Sequence, residues 1–260
     1  MKIPSETRFL NPEGQLVQWP SKQTDQLLVI SYLAGKFALG TRYSEAEVTE
    51  LLKTWHTFSD WPLLRRELYN RGYVTRNSDG SNYRLTTITT AIPELVLVRP
   101  NVERDAPLSV VWMVGKEGNN TQRLMGNTEE HNKPTTLAEE EARIREFIIS
   151  TVQENWELMY NNTVVGAVWL DVVPSEYLGA PSIHMMIGDP SVRGKGIGVA
   201  ACTALIERIR AQKTEPILYS RHLTSNDPVM KLLTKLGFED DGASYLDHDG
   251  LEFRNVRLTL

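Results

Sequence analysis

The sequence predicts an α/β protein, a mixed central sheet flanked by helices and preceded by a small α+β unit. Three observations predict it. The chain has 260 residues, long for one core and comfortable for two. From residue 94 onward, short segments of strand character alternate with segments of helical period. One strand-to-helix junction carries Gly194, Gly196 and Gly198, a spacing that brings backbone close to something other than a side chain. Apolar residues make up 41% of the chain, enough for packed interiors.

Charge divides the chain unevenly. Residues 1–90 carry 11 basic and 9 acidic side chains, net +2, and residues 91–260 carry 17 and 24, net −7; together they return the overall −5. This supports two modules, 1–90 and 91–260. The polar stretch TTITTAIP joins them, and Pro93 holds Ile92 extended at the boundary.

In the first module, residues 21–38 have helical spacing at Leu27, Leu28, Ile30, Leu33, Ala34 and Phe37, with Ser21 as the expected cap. Ser44 and Glu47 fit a capping box ahead of a second helix that carries Val48, Leu51, Leu52 and Trp55. A third helix starts near Asp60, tolerates Pro62 in its first turn, and stops at Gly72. Two short strands then flank Asp79-Gly80. Three helices and a hairpin make a winged-helix-like unit. Arg65, Arg66, Arg71, Arg76 and Arg84 fall on its last helix and hairpin, where a nucleic-acid reader would place them. Asp60, Glu67 and Asp79 dilute that charge, so a solvated or protein-contacting surface is the favoured reading and nucleic acid the alternative.

The second module opens with a strand at 94–100. A helix is expected near 107–112, then a loop containing Gly118, Asn119, Asn120 and Asn127. LAEEEARIREFIISTVQ is an amphipathic helix with acids in its first turn. Strands at 156–160 and 163–173 flank Asn161-Asn162 as a hairpin. A strand at 182–188 runs into Asp189-Pro190 and the glycine-rich turn. Helix, strand (216–222), helix (227–237) and two final strands around Asp249-Gly250 complete the order.

The turn Arg193-Gly194-Lys195-Gly196-Ile197-Gly198 reads as an anion site. Its glycines admit a ligand close to backbone, unpaired amides of the helix start point outward, and Arg193 and Lys195 add charge. The spacing is neither that of a dinucleotide-binding turn nor that of a P-loop.

Residues 94–260 resemble the GNAT superfamily of N-acetyltransferases. Arg193, Gly196 and Gly198 occupy that family's Arg-x-x-Gly-x-Gly motif, and Asn226, Val229, Leu232, Lys235, Gly237 and Phe238 match a second motif in which Val229 replaces alanine. The resemblance implies acetyl-CoA as co-substrate, its pyrophosphate on residues 193–198. It implies a pantetheine arm between splayed strands, bonded to the backbone of Met186 and Ile187, with Asn226 as a polar contact. The segment MIGDPSVRGKGIG is similar to acetyltransferases that act on small amines or aminoglycosides. Where many relatives carry a proton-donating tyrosine, this chain has Leu233, at a position expected to border the arm and to accept tyrosine. Residues 5–86 resemble a small bacterial domain of uncharacterised function, found alone or fused to regulators and acetyltransferases. The likeness runs through Phe9, Gly14-Gln15-Leu16, Pro20, Lys22, Tyr43-Ser44-Glu45, Asp60, the Leu64–Leu68 run and Tyr83-Arg84.

The expected reaction is direct acetyl transfer from acetyl-CoA to the primary amine of a small cationic molecule. Asp171, Glu176, His184 and Asp189 are candidates to hold or deprotonate that amine, with Asp171 and His184 preferred and Tyr219 a substitute acid. Competing readings are an acetyl-CoA sensor that has lost catalysis, motivated by Leu233, and a DNA-binding regulator. The lone Cys202 excludes an intrachain disulfide and reads as a buried structural thiol. His56, His131, His184, His222 and His248 show no metal-ligand spacing, so no metal is expected. The first residues, MKIPSETRFLNPEG, lack a long apolar run, so no signal peptide is expected; with no run of 18 apolar residues either, a cytoplasmic protein without a membrane partner is expected. Oligomeric state is open, with a homodimer among the options.

Overall fold

The computed structural model describes residues 5–128, 134–212 and 215–260. His131 lies outside them. The chain forms two compact units, one of Met1–Thr87, Arg99–Ala106 and Glu141–Ile149, the other of Ile88–Val98, Pro107–Glu140 and Ser150–Leu260.

The first unit is built on α1 (Gln23–Ala34), α2 (Glu45–Thr54) and α3 (Trp61–Asn70), followed by the antiparallel pair β1 (Val74–Thr75) and β2 (Arg84–Leu85). The Ser44–Glu47 capping box forms, and the Asp60 side chain accepts from the Leu63 amide. The expected cap at Ser21 does not form: Lys22 occupies the N-cap position of α1 and makes no side-chain bond to it. Leu16, Ile30, Leu33, Val48, Leu52, Leu64, Leu68 and Tyr83 fill the core. Glu6, in a short 3-10 turn, accepts two hydrogen bonds from Arg145 at 2.9 and 3.0 Å, and both residues are buried. Four of the five arginines singled out from the sequence are engaged internally. Arg65 pairs with Glu45 at 2.5 Å, and Arg71 with Glu67 at 2.8 Å and Gln26 at 2.7 Å. Arg76 donates to the Tyr83 hydroxyl at 3.2 Å and Arg84 to Thr75 at 3.4 Å.

The second unit is organised by one large sheet. Its strands are β3 (Thr87–Thr89), β4 (Leu95–Val98), β5 (Gln153–Tyr160), β6 (Thr163–Asp171), β7 (Ser182–Ile187), β8 (Ile217–Leu223), β9 (Glu239–Asp240), β10 (Tyr245–Leu246) and β11 (Glu252–Thr259). They lie in the order β10-β11-β8-β7-β6-β5-β4-β3, with β9 also on β11. β4 through β7 are antiparallel neighbours, as are β8, β11 and β10; β7 and β8 are parallel. Asn161 and Asn162 both adopt positive φ, 49° and 61°, which makes the tight β5–β6 hairpin. The unit's helices are α5 (Gly115–Leu124), α7 (Ile197–Gln212) and α8 (Asp227–Lys235), while α4 (Val102–Trp112) and α6 (Leu137–Ile149) are each divided between the two units, at Ala106 and Glu141. α6 opens on a capping box between Thr136 and Glu139.

One face of the sheet carries Trp156, Val168 and Ile183 into a core shared with Ala201, Leu205, Ile206 and Ile209 of α7 and with Leu233 of α8. Each large side chain fully buried there contributes about 1.5–3 kcal/mol. The sequence placed the first helix of this region at 107–112; it starts at Val102, with Pro107 inside it. The loop expected after it is the helix α5. Two glycines and two asparagines give GKEGNNTQRL poor intrinsic propensity, and packing overrides it: a Cβ on Gly118 would lie 2.4 Å from the Met113 carbonyl carbon.

Candidate active site

The two parallel strands meet at a single register point, Ser182 opposite Tyr219. There the Tyr219 amide donates to the Pro181 carbonyl at 2.9 Å. One step on, the Ser220 hydroxyl donates to the Ile183 carbonyl at 2.8 Å. Beyond that, β7 and β8 are unpaired with each other and the ladder opens toward their C-terminal ends. Peptide groups alternate sides along a strand, so those of Ile183, Met185 and Ile187 face β8. Met186 faces the other way: a Cβ on Gly166 of β6 would lie 2.1 Å from the Met186 carbonyl oxygen. Of the two residues named from sequence for an arm in this gap, Ile187 presents its backbone to it and Met186 presents its backbone to β6. Met185 is the second residue facing the gap.

Beyond β7, Asp189 caps a 3-10 turn (Pro190–Val192) by accepting from the Ser191 amide at 2.8 Å. The chain then passes through Gly194 and Gly196, with φ of 75° and 79°, a region costly for any residue with a Cβ. A Cβ at either position would meet nothing within 4 Å, so both glycines border open space. Gly198 differs: a Cβ there would lie 2.8 Å from Leu232 and 2.9 Å from Met185, so this glycine lets α7 pack on α8 and β7. The first bonded amide of the new helix is that of Ala200, which donates to the Gly196 carbonyl at 3.0 Å. The amides of Ile197, Gly198 and Val199 precede it, as unpaired donors at the positive end of a 16-residue helix. The Ile197 side chain is buried, so only its amide faces this opening, while Lys195 is exposed.

Arg193 turns its guanidinium inward. It donates to the Ile187 carbonyl at 3.0 and 3.2 Å and to the Thr121 hydroxyl at 2.8 Å, and pairs with Glu117 at 3.4 Å. It thereby ties the end of β7 to α5, contacts that no motif in the sequence announced. Trp112 lies flat against Gly188, where a Cβ would come within 2.1 Å of the indole. Asn226 is likewise engaged: its carbonyl caps α8 by accepting from the Val229 amide at 3.3 Å, and its amide donates to the Leu124 carbonyl at 3.0 Å. Leu233, expected to border the gap, is 4% exposed and belongs to the core, because α8 turns that face toward the sheet. Burial pushes the Cys202 thiol up to about 12, which leaves no thiolate for nucleophilic work.

On the opposite face of the sheet, strand register brings polar residues together. Trp169 stands opposite His184 and Asp171 opposite Ser182. The Asp171 carboxylate lies 3.1 Å from His184 Nε2 and accepts from the Gln153 amide at 2.7 Å; the Ser182 hydroxyl is 3.1 Å from the same histidine nitrogen. The indole of Trp169 stacks on the imidazole at 5.6 Å. Burial is the largest influence on Asp171 and raises its pKa, yet the hydrogen bond and charge of His184, the Gln153 amide and the charge of Arg221 outweigh it and hold the carboxyl below its ordinary value. Tyr219 shares this face, its ring beneath Gly179, where a Cβ would lie 2.8 Å away. Glu176 is exposed on the loop after β6. Among the described residues, Asp247, His248 and Asp249 of the β10–β11 turn form a group whose ligand atoms lie within 4.8 Å of one another. No described helix is long and apolar enough to cross a membrane.

A mixed sheet with one parallel pair that parts beside a glycine-rich helix start is the frame of an acyltransferase. The chain belongs to the GNAT acetyltransferases: the family described as "Acetyltransferase (GNAT) domain" matches residues 95–239, more than half of the chain. That family takes its acetyl group from acetyl-CoA. A second family, "Uncharacterized protein conserved in bacteria (DUF2087)", matches residues 15–85. Solved structures share the fold. RimL, a ribosomal L7/L12 alpha-N-protein acetyltransferase, aligns at 17% identity and a TM-score of 0.56 over 73% of this chain and 100% of its own. The microcin C7 self-immunity acetyltransferase MccE, in complex with acetyl-CoA and AMP, aligns at 14% and 0.54 over 65% and 94%. The aminoglycoside acetyltransferase AAC(6')-Ib, in complex with coenzyme A, aligns at 19% and 0.50 over 64% and 93%. No curated protein matches the sequence.

Proposed function

We propose that this chain transfers acetyl from acetyl-CoA directly to the primary amine of a small molecule, an amine that is cationic until it reacts. The observation that carries the reading is the parting of β7 and β8 after Ser182 and Tyr219, beside a helix start whose glycines border open space. In this reading the amides of residues 194–198 and Val199 cradle the pyrophosphate and Lys195 adds charge from outside. Arg193 acts by holding the turn in place, and Asn226 by holding the start of α8. The backbone of Met185 and the amide of Ile187 receive the pantetheine arm, since the Ile187 carbonyl is held by Arg193.

The acceptor side is the face that carries Asp171 and His184. A carboxylate only accepts hydrogen bonds, so the proton between the two sits on Nε2, and in the neutral imidazole this leaves the lone pair of Nδ1 available. Asp171 thus orients His184, and Nδ1 takes the proton that the ammonium must lose. The amine nitrogen bonds to the acetyl carbon, the C–S bond breaks, CoA leaves as thiolate, and the second proton on nitrogen passes to solvent or restores the donor that protonates the thiolate. Tyr219, where the strands part, is the candidate proton donor to that thiolate. Water can replace it, since a thiol pKa of about 8.5 makes protonation easy near neutral pH.

The net −7 of residues 91–260 supports a positively charged acceptor at long range. For the winged-helix-like N-terminal unit, the internal pairing of Arg65, Arg71, Arg76 and Arg84 supports a structural or protein-contacting role over nucleic-acid binding.

The test is acetylation of a panel of polyamines, amino sugars, small amino acids and peptide N-termini, read by product mass. Transfer to small amines is expected, and His184→Gln should lower kcat about 10²–10⁴-fold. Transfer to protein N-termini alone overturns the small acceptor, and tight acetyl-CoA binding with no transfer at all overturns the enzyme.

A further inference from the structure

Arg221 sits two residues after Tyr219 and so shares the sheet face that carries Ser182, His184 and Asp171. Its surroundings are built. The guanidinium carbon lies 4.4 Å from the centre of the Phe253 ring and 5.8 Å from that of Tyr177. One nitrogen donates to the Tyr245 hydroxyl at 3.4 Å. Tyr245 stacks on Tyr177 with centres 5.4 Å apart and planes 12° off parallel. The Tyr245 hydroxyl donates to Asn255 at 3.1 Å, and the Asn255 amide donates to the Tyr177 carbonyl at 2.6 Å. Rings and amide together fix the guanidinium before anything binds.

Its charge has no acid. Arg193, Arg208, Arg254 and Arg257 each pair with a carboxylate, Glu117, Glu154, Asp240 and Asp241 respectively. Among the described residues none lies within 4.0 Å of Arg221, which is half-buried. A partly desolvated guanidinium held by ring faces and one phenol keeps most of its planar donors unused, and that fork matches a carboxylate or phosphate. Its field reaches Asp171, so the two belong to one electrostatic site.

We propose that Arg221 is the oxyanion-binding element of the acceptor site, so that the acceptor is a small amine carrying a carboxylate or phosphate. The proposal rests on the acetyltransferase reading. In it, the ammonium end faces Asp171 and His184 and the acidic end faces Arg221.

The experiment uses the full chain and matched amines: β-alanine against its amide, and phosphoethanolamine against ethanolamine. CoA release gives kcat and KM for wild type, Arg221→Gln and Arg221→Lys, with a thermal melt of each. The acidic member of each pair should be preferred. Arg221→Gln should collapse that preference about 10–100-fold, the loss of a charge-assisted bidentate contact, and chiefly through KM. Arg221→Lys, which keeps charge without the fork, should retain part of it. Comparison of the two acids identifies carboxylate or phosphate as the natural group. Equal kcat/KM for acidic and neutral members, or equal damage to both by Arg221→Gln, overturns the proposal. Titration of malonate and of inorganic phosphate onto CoA-loaded protein decides independently of turnover. Binding that Arg221→Gln abolishes supports the site even if no amine is acetylated, a result that would sink the transferase reading alone. Binding equal in both proteins, or none in wild type, overturns the site.

Discussion

Gly196 and Gly198 stand two residues apart and are predicted to fail in opposite ways. Gly196 has φ of 79° with open space before it, so tryptophan there is strained but unobstructed, and its indole stands over the amides of Ile197, Gly198 and Val199. The left-handed conformation costs an L-residue roughly 1–2 kcal/mol. In a chain of this size that lowers Tm by about 2–8 °C. Each amide–oxyanion bond denied to the cofactor removes about 1.5–3 kcal/mol, so acetyl-CoA affinity should fall about 10–100-fold for the first bond lost. Gly242, with φ of 98° and nothing within 4 Å, supplies the control: Gly242→Trp carries the same strain and should leave affinity unchanged. Gly198→Ala reverses the pattern. Its Cβ would press on Leu232 and Met185 at 2.8 and 2.9 Å. Overpacking costs about 1–3 kcal/mol and the gain in helix propensity returns roughly 1, so stability should fall more than affinity. Calorimetric titration with acetyl-CoA and a thermal melt of each variant read both quantities. A folded Gly196→Trp protein that binds acetyl-CoA like wild type refutes the cradle, and equal loss in Gly242→Trp shows that strain alone was responsible.

Two further predictions concern stability. Leu233→Tyr adds volume and a hydroxyl to a closed core, at about 1–3 kcal/mol for overpacking and a similar amount for the unpaired hydroxyl. A marked drop in Tm is expected, whereas an unchanged melt would place Leu233 at the edge of the cleft. Glu6→Ala removes two of the carboxylate contacts of the buried Arg145 guanidinium and leaves it Glu141 at 3.2 Å, so it should cost less than the roughly 3–5 kcal/mol of a fully stranded buried charge, read by denaturant unfolding. Adding Arg145→Met should recover most of that loss, and a double variant no better than the single would show the ion pair is not the cause.

What could be read from sequence was what is decided locally. The Ser44–Glu47 box, the Asp60 cap, the Asn161-Asn162 hairpin and the turn at residues 193–198 each depend on a few adjacent residues whose chemistry permits one conformation. α5 was unreadable because its own residues argue against a helix. It is held by partners far along the chain, Arg193 on Thr121 and Asn226 on Leu124. Which of Met185 and Met186 turns its backbone toward β8 could not be read from the strand itself, because the phase is set only by pairing with Gly166 of β6. Asp171 and His184 were visible as candidates, but their meeting requires the register that sets Trp169 opposite His184. Arg221 went unnoticed for the same reason: its rings come from the loop after β6 and from β10 and β11.

Net charge and local charge therefore ask different questions of the acceptor. The −7 of residues 91–260 acts on an approaching molecule from a distance and is screened within about 8–10 Å at ordinary salt. In the proposed acceptor site, selection would occur at contact, where the Asp171–His184 pair and Arg221, which has no carboxylate within 4.0 Å among the described residues, present opposite signs on one sheet face. A purely cationic amine would meet attraction from the first and repulsion from the second. A zwitterion, or an amine carrying a phosphate, would satisfy both and gain an orientation that sets its nitrogen beside the histidine. The same geometry gives Arg221 an effect that long-range attraction lacks. Raising salt should slow capture of every cationic amine, while the preference for the acidic member of a matched pair, made at short range in a half-buried site, should survive it.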